Sequence, residues 1–417
     1  MVGIGGIGMS ALAQMLISQG KTVSGSDRSE SPTTELLEKK GVLVSIGHGS
    51  IPDGTQLLIY SDAVWTDNPE RIEAEQKGIP QMSYFEALGE ISKGMRTVAV
   101  AGTHGKTTTT GMLAKILSDA GVSPTAIIGS IVRDFDSNFL QGESDTFVVE
   151  ACEYRDHLLE LSPEILVITN IELDHTDFFP TLHSVQETFR KAAEAVPATG
   201  VIIANPSDIN LLPVLRNVKA RIIDYTQMAV GALQLEGEFN RENARAALAA
   251  AKAAFPALSL EVGVHSLSQF KGSWRRFEFK GETLNGALVY DDYAHHPTAV
   301  RKTIEAAREK FFDKRIVVAF HPHLFSRTKS FLDEFASALS TADFTIVAPI
   351  FAARETHDPS ISNHVLSERI REAGAEATAI DTFDGIRDVL NAETEKTVII
   401  TMGAGDIYKV AEKIIEP

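Results

Sequence analysis

The run Val98-Ala99-Val100-Ala101-Gly102-Thr103-His104-Gly105-Lys106-Thr107-Thr108 constrains this chain more than any other segment. An apolar stretch of strand character meets a loop with two glycines, and Lys-Thr-Thr then opens a helical pattern that runs to Leu117. Small loop residues let backbone amides approach phosphate oxygens, a lysine offers a point charge to the β and γ groups, and a threonine hydroxyl suits Mg²⁺. Strand, loop and helix in this order belong to a parallel α/β sheet whose ligand sits at the carboxyl ends of the strands. The usual phosphate-loop pattern carries glycine five residues before Gly105, and Val100 stands there, so the loop reads as a shortened relative of it. A ligand-free turn would give Gly-Lys-Thr-Thr at a helix start little purpose.

Similar alternation continues on both sides. Residues 9–19 read as a helix and 22–26 and 57–61 as strands; 97–101, 146–149 and 165–169 read as buried strands. An alanine-rich helix at 240–255 stops at Pro256, and strands at 288–291, 315–320, 344–348 and 397–401 alternate with helices. The chain has 417 residues, too many for one ordinary core. The pattern predicts an α/β protein of three tandem domains: a Rossmann-like N-terminal domain at 1–94, a P-loop nucleotide-binding central domain at 95–271 and a Rossmann-like C-terminal domain at 272–417. A hinge is expected at 91–96, where Gly94 sits between charged residues, and a boundary near Gly272.

Composition narrows the partners. A formal net charge of −17 without any Lys/Arg-rich run disfavours nucleic acid, while local amides and a few cations still allow a small phosphorylated ligand. No stretch reads as a membrane span, and residues 1–17 lack a basic leader region and are broken by Gly3, Gly5, Gly6 and Gly8. One cysteine, Cys152, permits no internal disulfide and fits a reducing compartment, so a cytoplasmic location is expected.

Three further groups carry chemistry. Glu150 closes one strand and Asn170-Ile171-Glu172-Leu173-Asp174-His175 follows another, so both reach strand carboxyl ends; Glu150 suits a hard cation, with His175 as a second ligand. Alone, such an acidic loop is more often a solvated turn. The turn Gly3-Ile4-Gly5-Gly6-Ile7-Gly8 has dinucleotide-type spacing, with Asp27 at the ribose distance. It fits NAD, another nucleotide or a plain tight junction, and the strand before it is either very short or preceded by missing residues. Asp291-Asp292-Tyr293-Ala294-His295-His296-Pro297 and His321-Pro322-His323-Leu324-Phe325-Ser326-Arg327 follow two later strands. Zinc is one reading of these histidines; gripping an anionic substrate through His and Arg donors is the preferred one.

With these residues assembled, the chain closely resembles the Mur ligases of peptidoglycan synthesis. The resemblance runs from Gly-Ile-Gly-Gly-Ile-Gly-Met-Ser at Gly3 through the loop at Gly102, Glu-Ala-Cys-Glu at Glu150, Asn-Ile-Glu-Leu-Asp-His at Asn170 and Arg-Arg-Phe-Glu at Arg275. It continues in the segments at Asp291 and Pro322, Ala-Ala-Arg-Glu at Ala352 and Met-Gly-Ala-Gly-Asp-Ile at Met402. It implies an ATP-dependent ligase using Mg²⁺, with Mn²⁺ as a substitute, whose branch joins L-alanine to the lactyl carboxylate of UDP-N-acetylmuramate through an acyl phosphate. A monomer or weak homodimer is expected.

The resemblance also implies roles by position. Lys106, Glu150, His175, His295 and Arg327 would be catalytic, with Thr107, Glu150 and His175 at the metal. ATP would lie on Gly102, Thr103, His104, Gly105, Lys106, Thr107, Thr108, Asn240, Asn243, Arg276, Asp292 and Tyr293. The UDP-sugar would meet Gly5, Gly6, Ile7, Gly8, Ser10, Asp27, His48, Ser61 and Asn138, and the amino acid His295, His323 and Arg327. Leu324 replaces a common arginine, Phe239 a histidine and Cys152 an aspartate, and the span 222–238 is short, as if a β-rich excursion were missing. Competing expectations are a ligase that recycles L-alanyl-γ-D-glutamyl-meso-diaminopimelate, a nicotinamide-dependent oxidoreductase resting on Gly3–Gly8 and Asp27, and a non-catalytic nucleotide-binding regulator.

Overall fold

The computed structural model describes residues 1–353 and 355–415. They form two compact units: Met1–Glu172 with Val185–Ala232 and Glu242–Lys271, and Leu173–Ser184 with Leu233–Arg241 and Gly272–Pro417.

The first unit opens with two parallel strand pairs, β1 (Ser24–Asp27) with β2 (Leu43–Ile46) and β3 (Leu58–Tyr60) with β4 (Gln81–Ser83). Val2 bridges both Ser26 and Tyr60 in parallel, so the strand ahead of the glycine turn is one residue long and lies between the pairs. The helix Ile7–Ser18 buries Met9, Ala11, Leu12, Ala13 and Met15. Each large apolar side chain taken fully out of water contributes roughly 1.5–3 kcal/mol.

The expected hinge at 91–96 is not a loop throughout: a helix spans Tyr84–Lys93. Ser83 and Glu86 form a reciprocal capping box at its start, and Leu88 is buried beneath it. Helix formation thus carries through Ile91, and only Gly94 and Met95 separate it from the next strand.

That strand, β5 (Arg96–Ala101), lies at the centre of a seven-stranded sheet with β6 (Thr125–Val132), β7 (Ser137–Leu140), β8 (Thr146–Glu150), β9 (Ile165–Ile168), β10 (Val201–Ala204) and β11 (Arg221–Asp224). The order is β11-β10-β9-β5-β8-β6-β7, parallel except for β7. Val98, Ala99, Val100, Leu166 and Val167 are almost wholly buried, as strands covered on both faces require. After β11 come one 3₁₀ turn, Tyr225–Gln227, and a short loop to the helix Glu238–Ala254, with no β-rich excursion.

The second unit holds β12 (Glu278–Glu282), β13 (Leu288–Asp292), β14 (Arg315–Phe320), β15 (Phe344–Val347), β16 (Ala377–Ala379) and β17 (Thr397–Met402), in the order β12-β13-β17-β14-β15-β16. Only β12 runs antiparallel. Helices Pro297–Lys310, Leu332–Leu339 and Asn363–Glu372 cover one face, and Phe383–Leu390 and Tyr408–Ile415 the other. The chain therefore leaves β13 and β14 toward one face and β17 toward the opposite one. Such a switch opens a crevice at the carboxyl ends of these strands. No helix among the described residues is long and apolar enough to cross a membrane.

Candidate functional site

In the first unit the loop after β5 takes its shape from two glycines. Gly102 has φ +128° and Gly105 φ +84°, values open to glycine and strained for other residues. A side chain at Gly102 would also collide with Thr169 Oγ1, and one at Gly105 with Asn243 Oδ1. The loop is tied to the end of β9: Asn170 Oδ1 accepts from the His104 amide at 2.9 Å, and the Thr103 amide donates to Asn170 O at 3.0 Å. The helix Lys106–Asp119 then begins with no capping side chain and no acidic residue in its first turn, leaving its positive end suited to an anion.

Lys106 and Thr107 each meet a carboxylate. Lys106 Nζ donates to Glu153 Oε2 at 3.0 Å and Oε1 at 3.2 Å, and to the carbonyls of Gly102 and Thr103 at 2.5 and 3.1 Å. Burial works against the ammonium, yet the charges of Glu153 and Glu150 outweigh it, so Lys106 titrates above the usual lysine range. Thr107 Oγ1 donates to Glu150 Oε1 at 3.1 Å, while the Gly129 amide donates to Oε2 at 2.8 Å. Glu150 is thus aimed by two donors, and its carboxylate and the Thr107 hydroxyl are the oxygen ligands a hard divalent cation takes. Burial pushes the neighbouring Cys152 thiol up to about 12, so it stays protonated.

The N-terminal turn is also closely held. The Gly5 amide donates to Asp27 Oδ2 at 2.7 Å, and a side chain at Gly8 would strike the Tyr84 hydroxyl. Asn138, fully buried on β7, donates to Ile7 O and, at 2.9 Å, to Ser10 Oγ, and accepts from Gln14 Nε2 at 2.8 Å. Asn138 and Ser10 thereby join the first helix to the seven-stranded sheet. Gly6 and Ile7 lie in the same turn, and Ser61 packs beside Gly3. His48 stands apart, 3.8 Å from Glu70 and largely exposed.

The second unit gathers His295, His323 and Arg327 around an unforeseen partner, Asp174. Arg327 Nε and Nη2 donate to Asp174 Oδ1 at 2.9 and 2.7 Å, and Nη1 lies 2.8 Å from His323 Nδ1. Burial opposes the Asp174 charge, but the Arg327 guanidinium overrides it and holds the carboxyl well below its usual range. The His295 and His323 rings are 5.9 Å apart, edge to face. His295 Nδ1 lies 2.8 Å from Tyr293 O, and since a carbonyl only accepts, Nδ1 carries the proton and Nε2 the lone pair. Burial, reinforced by Arg327, lowers the His295 pKa well below the usual histidine value and keeps the ring neutral.

Of the residues expected around ATP, Asn243 reaches Gly105 in the first unit, whereas Asn240, Arg276, Asp292 and Tyr293 belong to the second. Arg276 lies 5.1 Å from the centre of the Tyr293 ring. Asp292 accepts from the Phe277 and Ala294 amides at 2.6 and 2.7 Å, and burial raises its pKa to about 6 despite Arg276. His175 belongs to the second unit, with φ +51°, and Thr107 and Glu150 to the first. Sequence reasoning passed over Glu153, Asp174 and Arg275. Arg275 is a buried tie, donating to Asp291 Oδ2 at 2.7 Å and to Gly405 O at 2.9 Å. The available hint for Glu153 was its place three residues past Glu150. Arg354, within the segment 352–355, lies outside the described residues.

Comparison with known proteins agrees along the whole chain. The Mur ligase family catalytic-domain profile matches residues 1–96, the Mur ligase middle domain 100–231, and the Mur ligase glutamate ligase domain 275–405. The UDP-N-acetylmuramate--L-alanine ligase of Clostridium novyi is 37% identical over 449 aligned positions, covering 100% of this chain and 96% of that protein. The enzyme of the same name from Acetivibrio thermocellus is 38% identical, covering 100% and 95%. Both alignments are longer than this chain, so these relatives carry stretches with no counterpart here. Among solved structures, UDP-N-acetylmuramate-alanine ligase from Thermotoga maritima superposes with a TM-score of 0.82 at 28% identity, covering 99% of this chain and 97% of that one. A murein peptide ligase from Psychrobacter arcticus shares the fold at a TM-score of 0.72 and 24% identity, covering 100% and 99%.

Proposed function

The chain belongs to the Mur ligase family, and from that premise we propose that it joins L-alanine to the lactyl carboxylate of UDP-N-acetylmuramate at the expense of ATP. The observation that carries the reading is the loop where Lys106, Thr107 and Glu150 converge at a helix start. A carboxylate resists amines because its leaving group would be oxide. Transfer of the γ-phosphoryl group makes an acyl phosphate and ADP; the amine then attacks the carbonyl, and phosphate departs to leave the amide. The amides after Gly102 and the Lys106 ammonium hold the phosphates and offset charge on the transferring group. Lys106 reaches them by leaving Glu153 and the loop carbonyls.

Mg²⁺, when bound, would be held by Thr107 and Glu150, with His175 as a further ligand, and would neutralise phosphate charge; Mn²⁺ suits the same donors. His295 Nε2 takes a proton from the attacking amine, a task for which a neutral ring with its other nitrogen fixed on Tyr293 O is suited. His323, set by Arg327, stands on the amino-acid side. The UDP-sugar is assigned to the turn Gly5–Gly8 with Ser10, Asp27, His48, Ser61 and Asn138, and ATP additionally to Asn240, Asn243, Arg276, Asp292 and Tyr293. Functional domains at 1–94, 95–271 and 272–417, a cytoplasmic location and a monomer or weak homodimer complete the proposal.

A phosphate-release assay with ATP, Mg²⁺ and UDP-N-acetylmuramate decides it. Release is expected with L-alanine. Release with L-alanyl-γ-D-glutamyl-meso-diaminopimelate and none with L-alanine would reverse the substrate assignment.

A further inference from the structure

We propose that Gln14 is a positioning residue for the phosphoryl-transfer step, an inference that rests on the ligase reading above. Acting through Asn138, it holds the glycine turn of the UDP-sugar in register with the hairpin that aims Glu150 at Thr107. Gln14 lies in the helix Ile7–Ser18, one turn after Ser10 on the same face, and is almost wholly buried. Burying a primary amide costs free energy that only hydrogen bonds offset, and Gln14 makes them from both its nitrogen and its oxygen.

Gln14 Nε2 donates to Asn138 Oδ1 at 2.8 Å and to Ser10 O at 3.3 Å, and Gln14 Oε1 accepts from Ser137 Oγ at 3.2 Å. Asn138 in turn donates from Nδ2 to Ile7 O and, at 2.9 Å, to Ser10 Oγ. The backbone dictates both amide directions, because a carbonyl only accepts. The Asn138 atom beside Ile7 O is therefore nitrogen, its oxygen faces Gln14, and the Gln14 atom that meets both that oxygen and Ser10 O is nitrogen. An apolar side chain in place of Gln14 would leave the fully buried Asn138 Oδ1 without this donor and loosen the amide that grips the start of the helix.

The strand that carries Asn138 also reaches the metal-binding carboxylate. β7 pairs with β6, Phe139 facing Ile127 and Ser137 facing Val132, so Asn138 alone stands against residues 128–131. That bulge includes Gly129, whose amide donates to Glu150 Oε2 at 2.8 Å, and a side chain at Gly129 would collide with the same carboxylate. Bulges re-aim groups beside functional sites in this way. Glu150 Oε1 in turn accepts from Thr107 Oγ1 at 3.1 Å. One hairpin thus meets the UDP-sugar turn through Asn138 and the phosphate loop through Gly129 and Glu150.

Phosphoryl transfer needs both ends of that hairpin in place. A lactyl oxygen bonds to the γ-phosphorus as the bond from that phosphorus to ADP breaks, and the three atoms must lie close and in line. The carboxylate arrives with the UDP-sugar on the turn Gly5–Gly8, and the phosphate with the loop at Lys106. Their separation depends on how the helix Ile7–Ser18 sits on β6 and β7, against which it packs. Gln14 bonds that helix to two successive residues of β7. A slip of about 1 Å in this register costs roughly 100-fold in rate while each ligand keeps its own contacts.

Steady-state kinetics of the full chain with ATP, Mg²⁺, UDP-N-acetylmuramate and L-alanine test the idea. Gln14→Met, similar in size but unable to donate, should lower kcat roughly 10- to 100-fold and leave the KM values for ATP and UDP-N-acetylmuramate near those of the wild type. In an Asn138→Ala background the same substitution should change kcat little, because Gln14 acts through Asn138. Gln14→Glu, assayed at the lowest pH at which the wild type is active, keeps a protonated buried carboxyl that donates to Asn138 and accepts from Ser137, and should recover most of the lost kcat. If Gln14→Met does not fold, Ser137→Ala carries the same signature on a smaller scale, roughly 2- to 10-fold in kcat with both KM values unchanged. An undiminished kcat in a Gln14→Met enzyme that melts like the wild type would overturn the proposal. So would a raised KM for UDP-N-acetylmuramate with kcat unchanged, or losses that multiply in the double variant. Should the wild type reject L-alanine and use another amine, the substrate assignment alone fails, and the same variants compared with that amine decide the role of Gln14.

Discussion

The phosphate loop and the histidine cluster each bury a cation against a carboxylate, and they do so to different ends. Lys106 faces both carboxylate oxygens of Glu153, 47 residues away, and also leans on two loop carbonyls, all from the one nitrogen of a compact ammonium on a flexible stem. Arg327 faces Asp174, 153 residues away, through two nitrogens of a rigid fork whose third nitrogen sets His323. An ammonium so held can exchange Glu153 for a phosphate with little rearrangement. The guanidinium can move only by abandoning three bonds together. One region is built to change partners, the other to hold a geometry.

Removing each cation should break the two regions differently. Lys106→Ala is expected to lower turnover roughly a thousandfold or more, because charge on the transferring phosphoryl group loses its nearest cation. UDP-N-acetylmuramate binding, read by calorimetry, should persist; losing both together would erase the division of labour. Arg327→Ala should instead cost about 3–5 kcal/mol of stability in urea unfolding, since Asp174 is left buried and unpaired. An Arg327→Ala protein of wild-type stability but without activity would turn the contrast around and make Arg327 a direct participant.

A smaller effect sharpens the picture within the second unit, where two buried aspartates have opposite pH signs. Asp174 has its folded pKa lowered, so its contribution is present above the unfolded carboxylate value near 4 and is lost as the pH falls through the folded one. Asp292 has its folded pKa raised to about 6, so its contribution is full below about pH 4 and is lost as the pH rises through about 6. Asp292→Asn should therefore flatten the stability profile between about pH 4 and 6 by on the order of 1–3 kcal/mol. A profile unchanged by the substitution would remove Asp292 as the source of that slope.

Much of the fold was legible because local rules agreed with it. Buried parallel strands gave unbroken apolar runs at 97–101 and 165–169, and the structure has strands at Arg96–Ala101 and Ile165–Ile168. Within 91–96 the helix reaches Lys93, which Gly94 between charged residues does not reveal, because the Ser83–Glu86 capping box that starts it lies eight or more residues upstream of that glycine. Arg275 and Arg276 look alike in sequence, yet the first is spent on Asp291 and two carbonyls. Nothing local to either residue says which one is buried.

By itself the sequence determined the phosphate loop, because its form follows from two glycines able to take positive φ and from a lysine and threonine only residues away. Which carboxylate holds Arg327 and which turn meets His321 were decided by tertiary structure alone. Asp174 lies 153 residues from Arg327, and only packing of the β14 and β17 ends within one sheet brings the turn at Gly405 against His321, so neither pairing can be read from neighbours in the chain.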